Sequence, residues 1–82
     1  MPVITMFYGI IIKMFFRDHM PAHIHAVYGE YNGIFDLETF ELIEGDLPSR
    51  AVKLVREWGQ EYKDILKEMW ETKEFKKLPG LK

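Results

Sequence analysis

The chain has 82 residues, of which 48% are hydrophobic and 29% are charged, and its formal net charge at pH 7 is −2. This composition excludes a disordered chain, and the small negative charge excludes a general attraction of the whole molecule to nucleic acid. The absence of cysteine excludes disulfides, thiolate metal ligands and cysteine nucleophiles. The length predicts a single domain, residues 1–82, whose small core gains stability if it assembles with a partner.

The N-terminal run over residues 1–16 is apolar, but it contains Lys13 and has no basic segment before it. It therefore resembles neither a signal peptide nor a membrane span, which needs about 20 apolar residues. We expect no membrane partner and a cytoplasmic location.

Four strands are predicted from the apolar runs and the turn residues between them. The first, over about residues 10–17, is rich in β-branched and aromatic residues. The other three lie between turn residues, over about residues 23–28, 33–37 and 40–44. Each connection is too short for a parallel crossover, so the strands are expected to form an antiparallel meander.

One long helix is predicted over about residues 48–73. Its apolar residues recur at spacings of four and three, and Pro48 suits the first helical turn. The resulting stripe consists of Ala51, Val55, Trp58, Tyr62, Ile65 and Met69. Packed on the sheet, this helix gives an α+β fold of ββββα order. Its far end exceeds the length of a short strand, so we expect a second subunit there, and residues 76–82 form an extended basic tail.

All three histidines and one carboxylate lie within residues 18–25. Residues 18–22 are predicted to form a loop, and the alternation along the second strand places His23 and His25 on the face of the sheet that points away from the helix. That face is half apolar, with Ile11, Lys13, Phe15, His23, His25, Val27, Ile34 and Asp36 predicted on it. Solvated sheet faces are usually polar, so a partner chain or the tail is expected to cover it.

A metal site and a structural or interface role are both open for the histidine segment. His23 and His25 share one side of a strand and can span a transition-metal ion such as zinc, with His19 or Asp18 as a further ligand. Alternatively, the histidines stabilise the turn or take part in an interface. The candidate binding residues are Lys13, Phe15, Arg17, Asp18, His19, His23 and His25.

An enzyme is the main alternative to a binding protein. Asp18, His19, His23 and His25 are the candidate catalytic residues of a metal-assisted or histidine-based hydrolase or ribonuclease. Nothing in the sequence marks a nucleophile. Nucleic-acid recognition is less favoured, because the helix mixes both signs of charge and the basic residues concentrate only at Lys73, Lys76, Lys77 and Lys82.

Several motifs together resemble one family. They are Asp18-His19-x-Pro21-x-His23-x-His25, Tyr28-Gly29, Gly45-x-Leu47-Pro48-x-Arg50-Ala51, Glu57-Trp58 and Trp70. Across nearly the whole chain they are similar to the DUF4160 family of short bacterial proteins. The resemblance implies no established reaction, but it implies partnership with other small proteins in settings similar to toxin–antitoxin or regulatory modules. The sequence therefore favours a homodimer or a complex with a small protein, formed through the outer sheet face and residues 18–25.

Overall fold

The computed structural model describes residues 3–15, 22–74 and 76–81. These form a five-stranded antiparallel sheet followed by one helix. The strands are β1 (Val3–Phe7), β2 (Ile10–Lys13), β3 (His23–Tyr28), β4 (Tyr31–Asp36) and β5 (Leu42–Gly45), and they lie side by side in chain order. The helix α1 spans Ser49–Thr72. The fold is therefore α+β as predicted, but the prediction of four strands was wrong by one.

The additional strand is β1, which pairs with β2 through a two-residue turn. Phe7 lies opposite Ile10, so Tyr8 and Gly9 alone make the connection, with φ values of 50° and 80°. Positive φ at both central residues is the backbone of the hairpin turns that match the twist of a sheet. Glycine adopts this conformation readily, whereas tyrosine does not, so the Tyr-Gly pair is a weak signal in the sequence.

The other strand boundaries differ from the prediction by a few residues. The predicted strand over residues 10–17 ends at Lys13, and its last two residues lie outside the described part of the chain. The third predicted strand, 33–37, is β4 and begins earlier because Gly29 and Glu30 make a two-residue turn that pairs Tyr28 with Tyr31. The fourth, 40–44, is β5 and begins later. Phe40 is buried in the preceding turn with a φ of 55°.

The helix packs on the inner face of the sheet. Ile10, Ile12, Ile24 and Phe35 are fully buried there, against a helical stripe that consists of Ala51, Val55, Trp58, Gly59, Leu66, Met69 and Trp70. The buried stripe of the helix contains Leu66 instead of the predicted Ile65, which is 40% exposed. This shift follows a kink at Tyr62, whose φ of −113° and ψ of 16° are not helical.

The far end of the helix has its contacts within the chain. Leu66, Met69 and Trp70 are all buried by residues of this chain, so the kinked helix does not require a second subunit at this end. The helix closes at Lys73, which has the left-handed conformation of a helix cap and donates its backbone N–H to the carbonyl of Met69. Among the described residues, no helix combines the length and the apolar composition that a membrane crossing requires.

The C-terminal tail packs along β1. The backbone N–H of Leu78 donates a 3.0 Å hydrogen bond to the carbonyl of Ile4, and Leu78 and Leu81 pack against the core. Gly80 lies so close to the strand that a Cβ there would be 2.8 Å from the Cβ of Phe7. The tail thus extends the core beside β1. Two covers were expected for the outer sheet face, a partner chain or the tail, and the described tail residues, 76–81, lie along β1 instead. A partner chain stays a prediction.

Candidate functional site

The predicted histidine segment is described in part. Arg17, Asp18 and His19 lie outside the described residues, so their predicted roles stay predictions. His23 and His25 lie on β3, and both are partly exposed, as are Lys13 and Phe15 on the neighbouring segment. The structure therefore brings together four of the seven candidate binding residues on one face of the sheet.

The outer face of the sheet is defined here as the side opposite α1. The strand pairing places one row of residues directly across it: Lys13 on β2, His25 on β3, Ile34 on β4 and Glu44 on β5. A second row consists of Met6, Ile11, Val27 and Asn32. Residues in such rows are neighbours about 5 Å apart, because strands are spaced by that distance. The face is therefore half apolar, with a cation and an anion at opposite ends of the first row.

A chain of stacked rings joins this face to the end of the helix. The ring centroids are 4.4 Å apart for Phe15 and His25, 5.1 Å for His25 and His23, and 5.2 Å for His23 and Trp70. The ammonium group of Lys73 lies 4.8 Å from the centre of the Trp70 ring. This distance is typical of a cation–π contact. Both histidines are therefore held between aromatic side chains rather than extended into solvent.

Trp70 and Lys73 are members of this site that the sequence did not predict. They lie at the end of α1, far along the chain from His23. The predicted apolar stripe ends at Met69 and does not include Trp70, and a helical period does not show which strand a helix residue contacts. Only the packing of the helix on the sheet brings the indole to the first residue of β3.

Two shallow cavities lie beside the ring chain. One, of about 440 Å³, is on the outer face and is lined by Lys13, Phe15, His25, Val27, Asn32, Gly33, Ile34, Glu44 and Gly45. The other, of about 380 Å³, lies at the end of the helix and includes Trp70, Asp36, Glu38 and Lys67 in its lining. Both sizes fall within the range of small-molecule sites, and the first cavity is lined by residues of the outer sheet face.

The second cavity has an ion pair on its rim. Lys67 on α1 pairs with Glu38 in the turn after β4. The hydrogen bond from the Lys67 ammonium, together with its charge, holds the pKa of the Glu38 carboxyl below its usual value of 4.5. The same contact raises the pKa of Lys67 above its usual 10.5. Because both side chains are exposed, water screens the pair, and it positions the rim more than it stabilises the fold.

The two described histidines are close enough for one metal ion. A zinc ion bound by two imidazoles lies about 2.0–2.1 Å from each nitrogen, which agrees with rings whose centroids are about 5 Å apart. In the described part of the chain, however, no three side chains of His, Cys, Asp or Glu are placed to hold a metal. A complete site therefore depends on a further ligand, either the predicted His19 or Asp18 or a group from another molecule.

The matched family is described as Domain of unknown function (DUF4160), and its model covers residues 9–71. The chain belongs to the DUF4160 family. No curated protein and no solved structure matches it. The DUF4160 match runs from the turn before β2 almost to the end of α1, so it includes the outer face from β2 to β5 and the Trp70–His23 contact. Outside the match, β1 and the described tail residues, 76–81, pack on one another.

Proposed function

We propose that this DUF4160 protein is a protein-interaction module with a regulatory role, and that it binds its partner through the outer face of the sheet. The observation that supports the proposal is the arrangement of the two faces. Among the described residues, the helix packs on the inner side and the tail packs along β1, and the half-apolar rows of β2 to β5 are partly exposed on the other side. Apolar patches of this kind mark interaction sites.

The composition of the outer face also fits protein binding. Val27, Ile34 and Phe15 provide apolar contact area, while Lys13 and Glu44 provide charges at its borders. An apolar centre with a charged rim is the usual anatomy of a protein interface. The Phe15 and His25 rings are already held in contact, so little side-chain freedom is lost when a partner covers them.

A photo-cross-linking experiment in a lysate of the native cell tests this function. Val27 on the outer face is replaced by p-benzoylphenylalanine, and the matched control carries the same probe at Gln60 on the exposed surface of the helix. We expect a protein adduct at position 27 that exceeds the adduct at position 60. Excess purified wild-type protein should suppress it, and excess Ile34→Glu protein should not. The proposal would be contradicted by equal labelling at the two positions, or by adducts at position 27 that contain no second protein.

A metal-dependent activity is the second candidate function, and the closeness of the His23 and His25 rings favours it. Bound there, a zinc ion would supply an activated water for hydrolysis. The test is calorimetric titration of metal-free protein with zinc. We expect heat of binding that disappears in the His23→Ala/His25→Ala variant and weakens in His19→Ala if that residue is the third ligand. Absence of binding heat in the wild type would remove this candidate.

A further inference from the structure

We infer that the partner on the outer face is a second copy of this chain, related to the first by a two-fold axis that runs parallel to the strands between β3 and β4. This inference rests on the proposed function and names its partner. It follows from the row formed by Lys13, His25, Ile34 and Glu44, which crosses four strands with its positive end on β2 and its negative end on β5.

Two simple symmetric arrangements would place two such faces against each other. A two-fold axis that runs along the row would place each residue opposite the same residue of the second copy. Lys13 would then face Lys13, and Glu44 would face Glu44. A two-fold axis that is parallel to the strands and passes through the middle of the row instead reverses the order of the row in the second copy. Lys13 then faces Glu44 of the second copy, and this contact occurs twice because the interface is isologous. Like charges placed opposite each other oppose association, so the charges select the second arrangement.

The residues between the charges fit the same arrangement. The axis passes between His25 and Ile34, so the imidazole of one copy faces the isoleucine of the other, and Val27 faces Asn32 in the next row. The two sheets then stack with their strands nearly aligned, as in β-sandwiches. The apolar side chains are at the centre and the two ion pairs are at the border, where they remain partly hydrated.

The size of the face sets the strength of the dimer. Across this axis β2 lies opposite β5 and β3 lies opposite β4, so four strands overlap and β1 lies outside the contact. Four strands spaced by about 4.8 Å and up to six residues long make a face about 19 Å wide and about 20 Å long, or about 380 Å². Two copies would therefore bury about 800 Å², a size typical of weak and transient contacts. We expect a weak dimer that exchanges rapidly and dissociates on dilution.

Charge reversal distinguishes this dimer from other assemblies. The proteins are wild type, Lys13→Glu, Glu44→Lys, an equimolar mixture of these two variants, and the Lys13→Glu/Glu44→Lys double variant. Lys53→Glu, on the exposed surface of the helix, is the matched control. Sedimentation equilibrium over a wide concentration range gives the dissociation constant of each, and circular dichroism confirms that each variant is folded.

Each single reversal should weaken the dimer by about tenfold or more, because it creates two like-charge contacts. The mixture and the double variant should restore it, since both recreate two opposite-charge contacts, and the control should match the wild type. A wild type that stays monomeric, or a dimer that both single reversals leave intact, would overturn the inference. If, in that case, the probe at position 27 still cross-links a different protein, the proposed function stands and only the identity of the partner fails.

Discussion

The indole N–H of Trp58 donates a 2.8 Å hydrogen bond to the backbone carbonyl of Pro79. This contact joins the centre of the helix to the C-terminal tail, and the indole also stacks on Phe7 of β1 at 5.9 Å. One buried side chain thus holds the helix, the first strand and the tail together.

Replacement of Trp58 by phenylalanine tests this contact. Trp58→Phe keeps an aromatic ring beside Phe7 but removes the donor, so we expect a loss of about 1 kcal/mol in unfolding free energy plus a packing cost. Urea denaturation measures the loss, and hydrogen exchange should show faster exchange of the Leu78 amide. Trp70→Phe is the control, because the Trp70 ring stacks on His23 of β3. Equal exchange of Leu78 in both variants would contradict this role for Trp58.

Gly59 of the helix lies directly against the ring of Phe40. A Cβ at this position would collide with the Phe40 ring. Gly59→Ala gains about 1 kcal/mol of helix propensity, but overpacking a rigid core costs about 1–3 kcal/mol, so we expect net destabilisation. In the Phe40→Leu background the cost should shrink or change sign, and Gln60→Ala should be neutral. A Gly59→Ala protein that is more stable than the wild type would contradict this prediction and show that the Phe40 turn moves to accommodate the added methyl group.

The contact between Trp70 and His23 should contribute to both stability and the position of the histidine. Trp70→Ala removes a buried indole, and we expect a loss of about 3–5 kcal/mol. In the variant, the NMR signals of the His23 ring protons should shift more than those of His25, because the His23 ring lies against the indole, with 5.2 Å between ring centroids. Lys73→Ala removes the cation above the ring and should cost at most about 1 kcal/mol. Unchanged His23 signals in Trp70→Ala would contradict the packing.

The Glu38–Lys67 ion pair predicts a small pH dependence of stability. Because the folded protein lowers the pKa of Glu38, its contribution is complete above the usual value of 4.5 and is lost as the pH falls through the lowered pKa. Glu38→Gln should therefore lose less stability than the wild type on acidification, and added salt should reduce the difference. Denaturation curves at neutral and acidic pH measure it, with Glu41→Gln as the control in the same turn.

Phe15 tests the outer face without altering the charged row. Phe15→Asp places a carboxylate beside His25, where the structure has an apolar ring. We expect a lower mass by light scattering at a given concentration, because a desolvated charge opposes the contact. Ile65→Asp, at an exposed position of the helix, should leave the mass unchanged. If the Phe15→Asp variant has the same mass as the wild type at the same concentration, the interface lies elsewhere.

The sequence alone determined the side of the sheet on which the site lies. Alternation in a strand is a local property, so Ile24 and Ala26 could be assigned to the core and His23 and His25 to the outer face without knowledge of any contact. The same holds for the helix, whose apolar period selected Trp58 for burial.

Only the tertiary structure decided what these elements touch. The strand β1 depends on a tyrosine held at positive φ, a conformation that the rest of the hairpin stabilises and that local preference does not predict. Trp58 with Pro79, Phe40 with Gly59 and Trp70 with His23 each join residues distant in the sequence. Such contacts depend on how the kinked helix lies on the sheet, and a pattern within one segment carries no information about a neighbour in another.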